Sequence, residues 1–250
     1  MEAASPPSSD DGDPEPACPP PAWAADLVAS ARARAGRAVY PPSDDTFLLL
    51  EALAADAGRL RALQPRLCLE IGSGTGTPLA GLFEVLQGMA AAPADRSTAS
   101  RLPPPLLFAV DKNPDAVACT EALLKERGAP FVSTVRASLT SCLRLKAAVD
   151  VGLCNPPYVP TTEPEEMQSC GIEASWAGGE RGREVIDRLL PQIAWFLAPR
   201  GLFYLVCMAE NEPEEIMALV ASHGLRSAIV RREVRGIEEL FILRFERADE

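Results

Sequence analysis

An apolar run leads directly into a glycine-rich turn at residues 67–76 (LCLEIGSGTG), and this feature constrains the fold more than any other. The run has the length and composition of a buried strand, with Glu70 near its end. Gly72, Gly74 and Gly76 let the backbone turn sharply and approach a ligand closely before a helix begins. Their spacing is not the G-x-G-x-x-G of dinucleotide sites, and no Gly-Lys-Ser/Thr follows as in a P-loop. The segment therefore predicts the strand, turn and helix that begin an α/β sheet.

A second strand is predicted at residues 106–110, and it ends in Asp111. An Asn113-Pro114 turn follows and leads to a helical pattern at residues 115–127. A carboxylate at the end of the second strand is placed to bind both ribose hydroxyls of a nucleoside. The alternative is that Asp111 caps the helix that follows it.

Strands and helices alternate along the rest of the chain. Further strands are predicted at residues 131–136, 147–154, 201–206, 227–234 and 240–245, and helices at residues 23–37, 44–53, 183–196 and 214–223. This alternation predicts a parallel sheet with helices on both faces, and the last two strands, with no helix between them, predict a hairpin at one edge. With 250 residues and 47% hydrophobic content, the chain has enough material for one α/β core.

Two low-complexity stretches border the predicted domain or interrupt it. Residues 1–22 contain seven prolines and the acidic run DDGD, which predicts a disordered tail with no signal peptide or membrane span. Residues 90–105 predict a surface insertion between the first helix of the sheet and the second strand. We therefore expect a single domain over residues 23–250.

The tetrapeptide Asn155-Pro156-Pro157-Tyr158 directly follows the apolar run at residues 147–154. Its two prolines cannot continue a helix or a strand ladder, so Asn155 is expected at the carboxyl end of a strand, where α/β sheets bind ligands. The Asn155 side chain and the Pro156 carbonyl offer two acceptors for a substrate NH2 group, and Tyr158 offers an aromatic face for a planar amide or base. The alternative is a proline-rich turn in which Asn155 is only a local cap.

Three stretches together resemble the class I S-adenosylmethionine-dependent methyltransferases. They are residues 39–53 (VYPPSDDTFLLLEAL), residues 67–76 with 111–114 (DKNP), and residues 155–158 with 171–189 (GIEASWAGGERGREVIDRL). More narrowly, they resemble the HemK-related branch that methylates a glutamine side chain in the class 1 translation termination factor. The resemblance spans residues 39–245 and implies a Rossmann-like, seven-stranded sheet with its last strand antiparallel.

The resemblance also implies a set of site residues around S-adenosylmethionine. The cofactor residues would be Thr46 at the methionine moiety, Glu70, Gly72, Gly74 and Gly76 along the pocket, Asp111 at the ribose, Ser138 and Leu139 at the adenine, and Asn155. Asn155, Pro156 and Tyr158 would be catalytic, and these three with Pro157 and Trp176 would bind the substrate, with Gly178 and Gly179 in a loop over its channel. Ser138-Leu139 stands where the family usually has Asp-Leu, so weaker adenine affinity is expected.

The charge of the chain separates the alternative substrates. The net charge is −11, and residues 39–250 keep 29 acidic and 21 basic side chains, so a polyanion is disfavoured. This matters because the same tetrapeptide occurs in methyltransferases that act on adenine or guanine amines of DNA or RNA. Arg181, Arg183 and Arg188 could still form a local basic patch. A nucleic-acid amine, a histone lysine and a non-catalytic cofactor-binding role remain alternatives to a glutamine amide.

Cysteine and histidine usage argues against a metal site. The seven cysteines show no C-x-x-C pair, and His223 is the one histidine and is expected to cap a helix end. Cys68 and Cys154 lie inside predicted strands and Cys207 at the end of one, all three expected as reduced core thiols, and Cys170 has no histidine nearby in sequence to make it a nucleophile. The expected location is the cytoplasm, with the nucleus left open.

The resemblance implies two protein partners. One is the translation release factor, as the substrate. The other is a small zinc-binding activator subunit that pairs with a sheet edge to form a heterodimer. Residues 131–135 (FVSTV) fit an edge strand suited to such strand addition, although an ordinary protected edge fits the sequence equally well.

Overall fold

A seven-stranded mixed sheet lies at the centre of the protein, whose computed structural model describes residues 16–89, 103–140, 142–161 and 175–247. The strands are β1 (Leu67–Ile71), β2 (Leu106–Asp111), β3 (Val132–Arg136), β4 (Val149–Cys154), β5 (Leu197–Met208), β6 (Leu225–Arg235) and β7 (Glu238–Arg247). Their spatial order is β3-β2-β1-β4-β5-β7-β6. β1 to β5 pair in parallel, whereas β7 is antiparallel to β5 and β6. The predicted α/β fold with a closing hairpin is confirmed.

In the described ranges, seven α-helices cover this sheet. They are α1 (Ala25–Ala35), α2 (Asp44–Ala55), α3 (Ala57–Leu63), α4 (Thr77–Leu86), α5 (Pro114–Glu126), α6 (Glu184–Phe196) and α7 (Pro213–Ser222). Helices α1 to α5 contact one another in one layer, and α6 contacts α7 in the other. None of these described helices is long and apolar enough to cross a membrane.

Two elements differ from the sequence prediction. Helix α3 was not predicted, because its seven residues are too few to show a helical period. Strand β5 begins at Leu197 rather than at Gly201, although Pro199 and Gly201 are typical turn residues. The structure accommodates them with a register shift, since Val149 pairs with Leu197 while Val151 pairs with Leu202.

The two low-complexity stretches lie mainly outside the described residues. Residues 1–15 of the predicted tail and residues 90–102 of the predicted insertion fall there, so both predictions stand untested over those ranges. Residues 16–22 of the predicted tail are among the described residues. The backbone N–H groups of Ala17 and Cys18 donate to the Asp44 carboxylate, at 2.7 and 3.0 Å, which places this segment against the start of α2.

Aromatic packing fixes β4, the strand that directly precedes Asn155. Gly152 in β4 has no side chain, and a Cβ atom there would lie 2.3 Å from Cδ2 of Phe203. The Phe203 ring fills that space and packs between Phe196 and Phe245, with ring centroids 5.9 and 6.2 Å away. A larger residue at position 152 would overpack this core, so β4 is held firmly up to its carboxyl end.

Candidate active site

Three of the predicted site segments converge at the carboxyl edge of the sheet. β1 lies between β2 and β4, and Ile71 at its end pairs with Val110 on one side and Cys154 on the other. The residues that follow these three strands therefore meet at one edge, as expected for a ligand site in an open α/β sheet. A Cβ atom on Gly72 would lie 3.9 Å from the Asn155 carbonyl oxygen.

Hydrogen bonds hold the glycine turn in shape. The Gly72 N–H donates to the Val110 carbonyl at 2.8 Å, and the Gly74 N–H donates to Oδ2 of Asp111 at 2.9 Å. Gly76 has φ +78°, and a Cβ atom there would lie 2.8 Å from Cγ2 of Thr120. Only glycine fits that position without displacing Thr120. The turn then opens into α4.

Asp111 does not cap the helix that follows it, so that alternative is wrong. The N-cap of α5 is Asn113, whose Oδ1 atom accepts the Asp115 N–H at 2.9 Å. The Asp111 carboxylate instead accepts the Gly74 and Asn113 N–H groups, at 2.9 and 2.8 Å. It therefore joins the glycine turn to the end of β2, and its role at a ribose stays a prediction.

Asn155 and Tyr158 share one carboxylate, that of Asp45 at the start of α2. Nδ2 of Asn155 donates to Oδ2 of Asp45 at 2.8 Å, and the Tyr158 hydroxyl donates to the same oxygen at 3.1 Å. An ionised carboxylate only accepts hydrogen bonds, so this contact fixes which way the Asn155 amide faces. Its Oδ1 atom is buried and has no hydrogen-bond partner among the described residues.

Asp45 was missed as a site residue. In the sequence, Asp44 and Asp45 stand together at the start of the predicted helix at residues 44–53, where acidic side chains are favoured. The structure separates them, because Asp44 bonds the backbone at residues 17 and 18 whereas Asp45 bonds Asn155. Both acids are favourable in a first helical turn, so the sequence holds no signal that distinguishes them.

Tyr158 remains a neutral hydroxyl donor in this site. Its side chain is buried, and burial raises the pKa of the phenol well above its usual range. The negative charges of Asp45 and Glu238 raise that pKa further. A phenol held neutral can donate a hydrogen bond but cannot serve as a base near neutral pH.

The predicted substrate loop, at residues 176–179, hydrogen-bonds to the residues that directly follow the tetrapeptide. The Val159 N–H donates to the Trp176 carbonyl at 3.0 Å, and the Gly178 N–H donates to the Val159 carbonyl at 2.8 Å. Thr161 extends the pairing, since its N–H donates to the Gly179 carbonyl and its hydroxyl accepts the Gly179 N–H. Trp176 is half-buried, and its backbone carbonyl bonds to Val159, the residue after the tetrapeptide. Residues 171–174 of the matched stretch lie outside the described residues.

Thr46 and Glu70 point into the protein. The Thr46 hydroxyl donates to Oδ1 of Asp45 at 3.2 Å. The Glu70 carboxylate accepts the N–H of Leu79, in the first turn of α4, at 3.3 Å. Both residues lie at the expected edge, and their contacts to a cofactor stay predictions.

Ser138 and Leu139 follow β3 at the same edge. Ser138 is exposed, whereas Leu139 has φ +53° and packs against the core. The next residue, Thr140, anchors this loop on α6, because its N–H and hydroxyl both donate to Oε1 of Gln192, at 3.1 and 2.8 Å. The loop is thus positioned near the predicted adenine site, and its adenine contact is untested.

The described residues contain no cluster of three or more His, Cys, Asp and Glu side chains suited to a metal ion. Burial raises the pKa of the Cys68, Cys154 and Cys207 thiols, and all three are unpaired core residues. Cys170 lies outside the described residues. His223 is the C-cap residue of α7, as predicted.

The buried Glu70 carboxyl makes stability depend on pH in a defined direction. Burial raises its pKa well above the usual range, the Leu79 N–H opposes that shift, and the Asp111 charge adds to it. Such a group stabilises the fold while protonated, below its ordinary pKa, and that contribution is lost as pH rises through the folded pKa. Glutamine stays neutral, so we expect Glu70→Gln to gain Tm relative to wild type between about pH 5 and pH 8 in thermal unfolding without ligand.

Glu84→Gln is the matched control for that measurement. Glu84 is equally buried, but its carboxylate pairs with Arg127 at 2.6 Å, so its loss should lower Tm at neutral pH. A Tm difference for Glu70→Gln that stays constant with pH would contradict the role given to burial.

Comparison with known proteins places this site in a family, although no protein-family model matches the chain. Methyltransferase HEMK2 of Mus musculus is 40% identical over 213 residues, covering 85% of this chain and 91% of the relative. HEMK2 of Homo sapiens is 40% identical over 208 residues, covering 83% and 89%. The eRF1 methyltransferase catalytic subunit mtq2 of Schizosaccharomyces pombe is 33% identical over 221 residues, covering 84% and 89%.

Solved structures support the same fold. Mtq2 in the E. cuniculi Mtq2-Trm112 complex, described as methylating the eRF1 translation termination factor, has a TM-score of 0.57 and 24% identity, covering 84% of this chain and 98% of that chain. A ribosomal protein L11 methylase from Lactobacillus delbrueckii has a TM-score of 0.53 and 13% identity, covering 82% and 80%. The fold, the convergent site segments and the near full-length relatives agree. The chain therefore belongs to the HEMK2 family of methyltransferases.

Proposed function

We propose that this enzyme transfers the methyl group of S-adenosylmethionine to the side-chain amide nitrogen of a glutamine, in the translation release factor. The observation that carries the proposal is the Asn155 side chain. Asp45 holds its Nδ2 atom and leaves its Oδ1 atom buried without a partner among the described residues. A buried acceptor without a partner is costly, so this atom is suited to an N–H group of the substrate.

The glycine turn and Asp111 fit the cofactor. Gly72, Gly74 and Gly76 all have positive φ, and a Cβ atom on Gly74 would meet nothing within 4 Å. The backbone there leaves open space against which a ligand can lie closely. Asp111, at the end of the neighbouring strand, is the residue to hold the ribose. When bound, S-adenosylmethionine supplies a methyl group on positively charged sulfur.

The protein groups act by positioning the target amide. An amide nitrogen is a poor nucleophile, because its lone pair is delocalised. Oδ1 of Asn155 and the Pro156 carbonyl would accept its two N–H bonds and aim the nitrogen at the methyl carbon. Bound S-adenosylmethionine would supply the methyl carbon and keep the electron pair of its C–S bond on sulfur, and the surplus proton of the amide would leave to water. Such alignment is worth roughly 7 to 11 kcal/mol, so no basic side chain is required.

A lysine acceptor is the second candidate, favoured by the acidic surroundings of the site. Glu238 is half-buried next to the site, and burial and the charges of Asp45, Glu210 and Asp44 all raise its pKa. A group of carboxylates of this kind attracts a cationic side chain. Oδ1 of Asn155 and the Pro156 carbonyl are two neutral acceptors, which match the N–H groups of an amide better than a cationic ammonium, so glutamine is the better fit. The acidic surroundings also disfavour a nucleic acid.

The exposed sheet edge at β3 supports a small activator subunit as the second partner. The family resemblance implies that this subunit binds zinc. β3 pairs only with β2 in the part of the chain that the structure describes. Phe131, just before β3, is 56% exposed, and Leu106 beside it in β2 is 39% exposed. An open strand edge with apolar side chains suits strand addition by another chain. The cytoplasm, where release factors act, is the proposed location.

Methyl transfer to a release factor tests the proposed function. The full chain, co-expressed with the activator subunit, is incubated with labelled S-adenosylmethionine and either the wild-type factor or its Gln→Ala variant in the peptide-release loop. We expect label on the wild-type factor only. Label on neither factor, while the cofactor binds, would contradict the glutamine proposal. A histone substrate and its Lys→Arg variant, assayed in parallel, then decide whether lysine is the acceptor.

A further inference from the structure

Asn211 is a fully buried polar residue that joins three segments near the site. It ends a short turn, Ala209–Asn211, that follows β5. Its Nδ2 atom donates to the Tyr158 carbonyl at 2.8 Å and to the Arg181 carbonyl at 2.9 Å. Its Oδ1 atom accepts the Met208 N–H at 2.8 Å. Every polar atom of this side chain is therefore used, and each contacts backbone rather than another side chain.

Close backbone packing surrounds the same point. Gly182 has φ +66°, and a Cβ atom there would lie 1.8 Å from the Tyr158 carbonyl oxygen and 2.5 Å from Nδ2 of Asn211. A Cβ atom on Gly178 would lie 2.8 Å from the Pro157 carbonyl oxygen. The glycines let the loop at residues 178–182 approach the tetrapeptide with no side chain between them. The two backbones are then close enough for the Asn211 amide to hydrogen-bond to both.

Arg183 holds Asn211 from the other side. Its side chain is buried, and Nη1 donates to the Asn211 carbonyl at 3.0 Å. Nε of Arg183 donates to Asp187 at 2.9 Å, which ties this contact to the first turns of α6. Asn211 is therefore fixed at its backbone as well as at its side chain, so it can set the position of other groups.

Tyr158 is consequently held at two points. Its hydroxyl is bonded to Asp45, and its carbonyl is bonded to Asn211. The acceptors at Asn155 and Pro156 lie three and two residues away on the same short segment. We propose that Asn211 is a positioning residue for methyl transfer, which keeps the tetrapeptide and the loop at residues 178–182 in register so that the acceptors face the target nitrogen. The inference rests on the proposed amide chemistry.

Asn211→Ala, in the full chain purified with its activator, tests this role. A shift of about 1 Å in a reacting group can cost on the order of 100-fold in rate, so we expect kcat to fall by roughly 10- to 100-fold. The affinity for S-adenosylmethionine should change by less than about threefold, because the glycine turn lies on other strands. Asn211→Asp keeps the acceptor for Met208 but loses the donors to both carbonyls, and should lose activity in the same way.

Val220→Ala is the control for a general loss of stability. Val220 is fully buried in α7, away from the site, so its truncation weakens the fold without touching the tetrapeptide. At a temperature where all variants are folded, Asn211→Ala should be far slower than Val220→Ala. Equal rates for these two variants would overturn the proposal.

Hydrogen exchange measured without substrate tests the positioning role of Asn211 independently of the proposed substrate. In Asn211→Ala, faster exchange is expected at residues 158–161 and 176–183, and unchanged exchange at residues 67–86. A uniform change in exchange rates across the protein, or no change at all, would overturn the positioning role. A wild-type enzyme that leaves the release-factor glutamine unmethylated would refute the substrate, while local exchange changes in Asn211→Ala would still support the contact network.

Discussion

Replacing Asn155 with alanine is expected to lower kcat by about 10²- to 10³-fold while the affinity for S-adenosylmethionine changes by less than about threefold. The variant removes the Oδ1 acceptor that has no partner in the described protein, and with it one of the two groups that aim the target nitrogen. It also leaves Asp45 without one of its donors. The measurement is steady-state methyl transfer to the release factor, with cofactor binding followed separately by calorimetry.

Asp150→Ala is the matched control, because Asp150 is a polar residue on β4, the strand that leads into the tetrapeptide. It lies at the opposite end of β4, where its Oδ2 atom accepts the N–H groups of Arg66 and Leu67, at 2.8 and 3.0 Å. Its loss removes two hydrogen bonds and should lower stability with kcat nearly unchanged. Unaltered turnover in Asn155→Ala would exclude the proposed role of the amide.

The order of strands and helices was predictable because each element has its own local signal. The strands β1 and β4 are mainly apolar runs, interrupted by Glu70 and Asp150, and the hairpin of β6 and β7 lacks an intervening helical pattern. The register was not predictable, because it depends on packing across strands. The fit of Phe203 against Gly152 is one example, and the irregular start of β5 is another.

The site was predictable where its chemistry lies in consecutive residues. The glycine turn and the tetrapeptide at Asn155 are such runs, and the parallel sheet brings their ends to one edge. Asp45 and Asn211 were missed for a different reason. Asp45 is 110 residues from Asn155, and Asn211 is 53 residues from Tyr158. Asp45 lies in the matched stretch at residues 39–53 and Asn211 lies outside the three matched stretches, but only the folded chain shows which groups they hold.

Asp45→Ala is expected to lower kcat by roughly 10- to 100-fold, the second large effect after Asn155→Ala. Without this carboxylate, Nδ2 of Asn155 and the Tyr158 hydroxyl lose their shared acceptor. The Asn155 amide is then free to rotate, so its Oδ1 atom no longer faces the substrate. Leaving two buried donors unpaired should also cost about 1 to 3 kcal/mol each in stability. Steady-state kinetics and thermal unfolding measure both effects.

Asp44→Ala tests whether Asp45 acts by orienting the Asn155 amide or only through its negative charge. Asp44 lies beside Asp45 at the same helix start, but its carboxylate accepts the N–H groups of Ala17 and Cys18. Both variants remove one negative charge near the site, so an electrostatic effect would slow them equally. If Asp45 acts by orienting the amide, only Asp45→Ala slows methyl transfer. In an Asn155→Ala background, Asp45→Ala should then add little further loss, because the group that it orients is already absent. Fully additive losses would show that Asp45 acts independently of Asn155.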